Sequence, residues 1–319
     1  MLSSQYERHI QEKCAVREIK NEKKKQATSN PDKFQASVYD LQQVIYLPKS
    51  GRGELFYKRR LACYNFTVYE LSSKAGYCFL HHEGIAKRGA NEIASNLHKY
   101  LCILDQEGKQ DVALFSDGCV GQNKNTILPA MLLYFVEKSV SVKQITLYYF
   151  ETNHGQSEGD AVHSTIERCL KGTCDIFLPC QLATLIQAAR KFPEHYRVTE
   201  VQSSDVRDWK ELGKKLHILR VRSTKEGHPV DWKKVMQVKV RKNLPKKIMI
   251  KSSHLQDTFD TIDIEDGARR PLPDPFLPEE AYAHGPPKLT EGKIIQRPND
   301  PTPVIYHQDH IAFYKNLPH

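Results

Sequence analysis

No stretch of the 319-residue sequence approaches the ~18 consecutive apolar residues that a membrane-spanning helix needs, so no such helix is expected. The opening segment MLSSQYERHIQEKCAVREIKNEKKKQ is charged throughout. It lacks the apolar core of a signal peptide and carries no obvious organelle address. There is no internal repeat. The eight cysteines are scattered, mostly inside apolar runs, which argues against a disulfide framework and for a reduced intracellular protein. Cys169, Cys174 and Cys180 with His163 fit no standard zinc spacing, and no cysteine–histidine finger precedes the rest of the chain. Acid is scarce in one place. Lys210 to Lys251 holds fourteen Lys and Arg against Glu211, Glu226 and Asp231, which is +11 of a total of +9 and leaves the remainder slightly acidic. A local field of that sign attracts phosphate polymers, although a solvated basic face has the same composition.

What is present reads as alternating strands and helices; hydrophobic content is 39%, enough for a core. Residues 4–27 suggest a polar, basic helix that could serve as an arm, an import patch or a solvated face. Three strand-like runs follow, QASVYDLQQVIYL (35–47), LACYNFTVYEL (61–71) and YCFLHHE (77–83), separated by turn-rich segments, as in an antiparallel meander. KRGANEIASNLHKYLCIL (87–104) puts Ile93, Leu97, Tyr100 and Leu101 on one helical face. DVALFSD (111–117) and KQITLYYFE (143–151) predict strands, and 124–138 and 160–171 predict helices. The second of these has acids near its start and Arg168 and Lys171 near its end, as the helix dipole favours. The expected fold class is therefore α/β, a five-stranded mixed sheet in the order β-β-β-α-β-α-β-α flanked by helices. Beyond it, 178–192 predicts a helix, YRVTEVQ a short strand, and KKLHILRVR and WKKVMQVKVRKN basic strands. Residues 271–303 hold nine of the seventeen prolines, and 303–317 suggests a short docking helix. The expected division is a basic helical arm (1–30), the α/β unit (31–200), a basic strand-rich extension (201–268) and a proline-rich tail (269–319).

The acids fall where such a sheet converges. Asp40 lies within the first strand, Glu92 in the first turn or so of the first helix after the meander, Asp117 at the end of the fourth strand, and Asp160 at the opening of the last helix. Clustered carboxylates repel one another and neutralise by shifting pKa, unless a divalent cation is shared between them. Magnesium is commonly held by one or two carboxylates with waters and phosphate oxygens, and paired ions ~3.5–4 Å apart suit phosphodiester chemistry. Each acid also has a plainer reading: a solvent-facing strand acid at Asp40, a turn residue at Asp117, a helix cap at Asp160, an ordinary first-turn acid at Glu92. His81 and His82 beside Glu83 could ligate a metal, but a polar strand end accounts for them as well. The loop SDGCVGQNKN places Gln122, Asn123, Lys124 and Asn125 beside Asp117, where they could contact a nucleic-acid backbone or cap the next helix.

This arrangement of acids resembles the ribonuclease H-like fold, which hosts ribonuclease H, retroviral integrases and DDE-type transposases. KRGANEIASNL is similar to the ribonuclease H helix that supplies a glutamate, and NHGQSEGDAVHS to its histidine-containing loop. VYDLQQV, KRGANE, SDGCVGQNKN and HGQSEGDAVHSTIER together resemble a transposon-associated family of uncharacterised invertebrate proteins, over about residues 30–200. Members of that family commonly carry Asn where Gly118 stands here. The resemblance implies Asp40, Asp117 and Asp160 as ligands of Mg2+ or Mn2+, Glu92 as an accessory ligand, and His154 as a group near the leaving phosphate. Glu167 rivals Asp160 for the third acid, since DDE transposases place a glutamate within this helix. The two are ~10 Å apart along the helix axis, too far for one ion to bind both, and Asp160 is preferred. A catalytic core that cuts or joins DNA is implied, with an RNA–DNA hybrid as another substrate and a non-cutting nucleic-acid-binding descendant as the rival. The resemblance further suggests a nuclear location and allows a homo-oligomer. Lys239, Arg241, Lys242, Lys246 and Lys247 are the expected DNA contacts in the basic segment.

Overall fold

Period-two alternation puts one set of side chains on each face of a sheet, and this chain uses both faces. The computed structural model describes residues 2–51, 60–151, 158–173, 175–266, 277–289 and 308–318. A long helix α1 (Leu2–Ser29) leads into β1 (Phe34–Leu41), β2 (Ile45–Leu47), β3 (Leu61–Glu70) and β4 (Gly76–His82). Then come α2 (Ala90–Gln106), β5 (Asp111–Ser116), α3 (Ile127–Lys138), β6 (Gln144–Tyr149) and α4 (Glu158–Lys171). The remainder comprises α5 (Pro179–Ala188), β7 (Arg197–Glu200), α6 (Trp209–Lys215), β8 (Gln237–Arg241), β9 (Lys247–Lys251), β10 (Asp260–Asp263) and α7 (Gln308–Lys315).

Among the described residues the sheet has ten strands rather than the expected five. Its order is β10-β9-β8-β6-β5-β1-β3-β4-β7, with β2 paired to β3 beside the main path. At its centre β1, β3 and β4 are antiparallel, and β5 and β6 join β1 in parallel. The first predicted strand is two: β1 and β2 are separated at Gln42–Val44, where the chain turns to lay β2 against β3. The basic segment is not a separate layer. Its strand β8 pairs antiparallel with β6, so that β8, β9 and β10 continue the same sheet. KKLHILRVR forms no strand. It ends α6 and enters a short 3-10 turn, because Leu212, Leu216 and Ile218 are buried in the core that α3 also occupies.

One face of the sheet presents Tyr39, Phe66, Val68, Phe79, Leu114 and Leu147 to α2, α3 and α6. Helix α3 (ILPAMLLYFVEK) is apolar almost all round because helices flank it as well as the sheet. The opposite face carries Phe34, Ala36, Val38 and Phe115 under α1, and Cys63 and Leu80 under α4 and α5. Helix α1 is less an arm than a strap: Val16 and Ala27 are buried on the sheet, and the buried Glu12 accepts from the His254 backbone N–H at 2.8 Å. In α4, Val162, Ile166 and Leu170 recur at helical spacing and pack on Leu47 and Leu80. Burying three such aliphatic side chains stabilises the docking by roughly 1.5–3 kcal/mol each. That docking fixes where the N-terminal end of α4 meets β1.

Candidate metal centre

Asp40 is the penultimate residue of β1, and its backbone pairs with Thr67 of β3. Alternation puts it on the α1 and α4 face, with Val38. Val38 is in register with Phe115, so Asp117, which directly follows β5, ends level with Asp40 on the neighbouring parallel strand. Helix α4 packs across β1 and β3 and supplies Asp160 from its first turn and His163 three residues later. One ligand atom from each of Asp40, Asp160 and His163 falls within 4.8 Å of the others.

The hydrogen bonds fix which atoms face inward. Thr67 Oγ1 donates to the Asp40 backbone carbonyl at 3.2 Å, and lies 2.8 Å from His163 Nε2. If the hydroxyl keeps its proton on the Asp40 carbonyl, it accepts from His163 Nε2–H, and Nδ1 is then a lone-pair donor toward the carboxylates. Nδ1 lies 3.7 Å from Asp40 Oδ2. Burial drives the His163 pKa down to about 4, against an opposing pull from Asp160. The ring is therefore neutral at neutral pH. Asp40 moves the other way: burial first, and then the charges of Asp117 and Asp160, raise its carboxyl to about 7 against the opposing Leu41 N–H and Arg88. The Leu41 N–H donates to Asp40 Oδ1 at 2.7 Å. A neutral imidazole nitrogen and two carboxylates thus face one another across a gap that only a proton or a cation can bridge favourably. Oxygen and imidazole donors together suit a divalent first-row ion, and carboxylates suit Mg2+ and Mn2+. These residues fit such an ion.

Asp117 lies outside the 4.8 Å group, although its charge bears on Asp40 and on the buried Tyr39. Its Oδ1 accepts a short hydrogen bond from the Asn123 amide. Gly118 keeps the turn tight. A Cβ there would sit 3.0 Å from the Phe150 carbonyl oxygen and 3.2 Å from Lys124 Cε, so an asparagine would require a local shift.

Glu92 is buried at the start of α2, but it stands apart from this group. It accepts from the Tyr282 hydroxyl, which itself accepts from the Lys87 N–H at 2.8 Å. Of the two rival acids on α4, Asp160 enters the group. Glu167, a turn beyond His163, instead lines a cavity with Gln42, Tyr46 and Lys171. His154 lies outside the described residues. His81 is buried with Nε2 3.1 Å from the Lys87 carbonyl, His82 packs edge-on to Phe313, and Glu83 accepts from the Ala62 N–H at 2.8 Å. Among the described residues these three form no metal-competent group. Cys169 and Cys180 are free and belong to no metal-competent group among the described residues, and Cys174 lies outside them.

Three of the four loop residues expected to touch nucleic acid turn inward. Asn123 holds Asp117, buried Lys124 lies 3.1 Å from Met236 Sδ, and Asn125 Oδ1 caps α3 through the Ile127 N–H at 2.9 Å. Burial lowers the Lys124 pKa, against the pull of Glu151, Asp117 and Glu12. Gln122 is half-buried. In the basic segment, Lys242 reaches the Ser139 carbonyl, Lys246 pairs with Glu265 at 2.9 Å, and Lys247 opens β9. Lys239 and Arg241 alternate onto the same sheet face as Asp40, with Lys251 brought beside them by the β8–β9 register. Lys239 and Lys251 lie 4.1 and 4.7 Å from the Phe259 ring centroid. Burial and the charges of Arg241, Lys251 and Lys23 lower Lys239 to about 8.

The sequence reading missed His163 as a ligand and Thr67 as its holder. The first was detectable as the residue one turn from Asp160, the second only from the hairpin register. Among known proteins, a family described as a domain of unknown function (DUF8701) matches residues 87–243. No curated protein and no solved structure matches the chain.

Proposed function

We propose that this chain is a ribonuclease H-like catalytic core, similar to DDE-type transposases and integrases, that cuts or joins DNA phosphodiester bonds with divalent metal ions. The observation that carries the proposal is the Asp40–Asp160–His163 group, with Asp117 level with it on the next strand. An antiparallel trio joined to two parallel strands, with helices on both faces, supports the fold assignment. Asp40, Asp160 and His163 would hold the ion. When bound, it would activate an attacking oxygen and stabilise the leaving one. The chain's own work is positioning. Thr67 fixes the His163 tautomer, α4 carries His163 and Asp160 to β1, and Asp117 adds negative charge that disfavours an empty site. The imidazole donor shifts preference toward Mn2+ over Mg2+. Lys239, Arg241 and Lys251 on this sheet face, with Lys23 of α1 beside Lys239, would hold the phosphate backbone, and a DNA substrate would go with a nuclear location.

Two measurements test the proposal. Titration with Mn2+ by calorimetry should show binding to the wild type that Asp160→Asn loses. Supercoiled plasmid in Mn2+ should be nicked by the wild type and left intact by Asp117→Ala, with DNA binding retained. Undiminished nicking by Asp117→Ala, or Mn2+ binding that survives Asp160→Asn, overturns it. A second reading, a DNA-binding descendant that no longer cuts, is favoured by the hydrogen bonds that engage Asp117 with Asn123 and Glu92 with Tyr282. Full DNA binding without nicking in Mn2+ would establish that reading instead.

A further inference from the structure

One strand repeat beyond Asp40 and Thr67, ~7 Å along the same sheet face, stands a second polar pair. Asn65 Nδ2 donates to Gln42 Oε1 at 2.9 Å. Both side chains are buried, at 0% and 1% exposure, yet Gln42 Nε2 and Asn65 Oδ1 have no hydrogen-bond partner. Buried amides are rarely left half-satisfied. Gln42 lines a cavity of about 280 Å3 between the β1–β2 turn and α4, which Tyr46, Lys49, Arg60, Glu167 and Lys171 also border. Three cations stand there against one acid. Tyr46 is 45% exposed, and the Arg60 guanidinium lies 5.4 Å from its ring centroid.

We propose that this cavity binds one unpaired nucleotide of the DNA strand that passes the metal centre. It rests on the nuclease reading only for the identity of that strand. An exposed aromatic ring beside a guanidinium is a stacking platform for a base of any sequence, and a duplex does not present an unstacked base to it. Lys171 and Arg60 supply cations for the flanking phosphates. Gln42 Nε2 is closed off from solvent, so a side-chain rotation must bring it to a base edge, and an amide can offer either its N–H or its carbonyl by turning over. The α4 stripe that carries Asp160 and His163 continues through Glu167 to Lys171, so a single helix connects the cavity to the ligand group. The substrate class that follows is DNA with a single-stranded or frayed nucleotide next to the scissile bond.

The test measures fluorescence anisotropy of a labelled oligothymidylate and of a blunt duplex of equal length, in Ca2+, for the full chain. Tyr46→Ala should weaken single-strand binding roughly tenfold, Lys171→Glu should act in the same direction, and neither should change duplex binding by as much. Both positions are exposed, and unchanged circular dichroism and Tm will show that the variants are folded. Equal single-strand affinity in wild type and variants overturns the inference, as does an equal loss on both substrates. Plasmid nicking in Mn2+ separates the two readings. Nicking without a Tyr46 effect sinks this inference alone, whereas a Tyr46 effect without nicking sinks the catalytic assignment alone.

Discussion

At the scale of single residues, Asp40 and His163 pull the pH dependence of the fold in opposite directions. Folding raises the Asp40 carboxyl to about 7, so its contribution is complete below the unfolded value of ~3.9 and is lost as pH rises through 7. Folding lowers His163 to about 4, so its contribution is complete above ~6.5 and is lost as pH falls through 4. Between these limits the two partly cancel, and a wild-type melting curve hides both. Substitution uncovers one of them. In chelator, Asp40→Asn should be more stable than wild type at pH 8, by about 1–3 kcal/mol, with the gap closing toward pH 4. Calorimetric Tm values across that range check it, and a gap that does not change with pH would contradict the assignment of Asp40. Mn2+ should reverse the ranking at pH 8, because only the wild type gains a bound ligand.

At the scale of elements, β8 makes the most specific claim. Lys239 and Arg241 share the face that carries the metal group, with Arg241 Nε donating to Gln144 Oε1 at 2.6 Å, whereas Lys242 reaches Ser139 and Lys246 pairs with Glu265. If the first two contact phosphates, Lys239→Ala with Arg241→Ala should lower the slope of log K against log[salt] for duplex DNA by about two. Lys242→Ala should leave that slope almost unchanged. Filter binding across a salt series distinguishes them. The elements themselves were largely legible. Runs of apolar and β-branched residues marked β3, β4, β5 and β6, which the sheet buries on both faces, and helical spacing marked α2 and α4. Leu216 and Ile218 misled, since two apolar residues spaced by two fit a strand or the end of a helix, and burial against distant residues settled the matter. The acids could be placed at strand and helix ends from sequence alone. What could not be read was orientation: Asn123, Lys124 and Asn125 could face DNA or the interior, and the Glu92 partner, Tyr282, lies 190 residues away. His163 falls one turn from Asp160 in the sequence, but only the packing of α4 on β1 brings it beside Asp40.

At the scale of the whole molecule, the sheet joins what the composition divides. The basic segment looked like an extension because its charge changes abruptly, yet β8 adds directly to β6 and buries Val238 and Val240 in the core that α2 and α3 share. The matched region, residues 87–243, likewise omits β1, β3 and β4, and is hydrogen-bonded to β1 through β5 and to β4 through β7. Glu12 is where the first helix meets the last strands, accepting from Ser253 Oγ and the His254 N–H. Glu12→Ala leaves that buried N–H without its acceptor and should cost about 1–3 kcal/mol. Hydrogen exchange should then show α1 and the turn after β9 losing protection together. Independent loss at α1 alone would mean that the helix is held only by its contacts with β1.

That carboxylate also has a consequence in time. Glu12 and His254 are separated by 242 residues. During synthesis, at ~5–20 residues per second, the helix leaves the ribosome many seconds before its partner exists. Its apolar contacts, Val16 and Ala27 against Phe34 and Val38, can form early. A buried acid with nothing to accept from cannot be left in place. Helix α1 is therefore among the last elements to be secured, although its contacts with the sheet can form earlier.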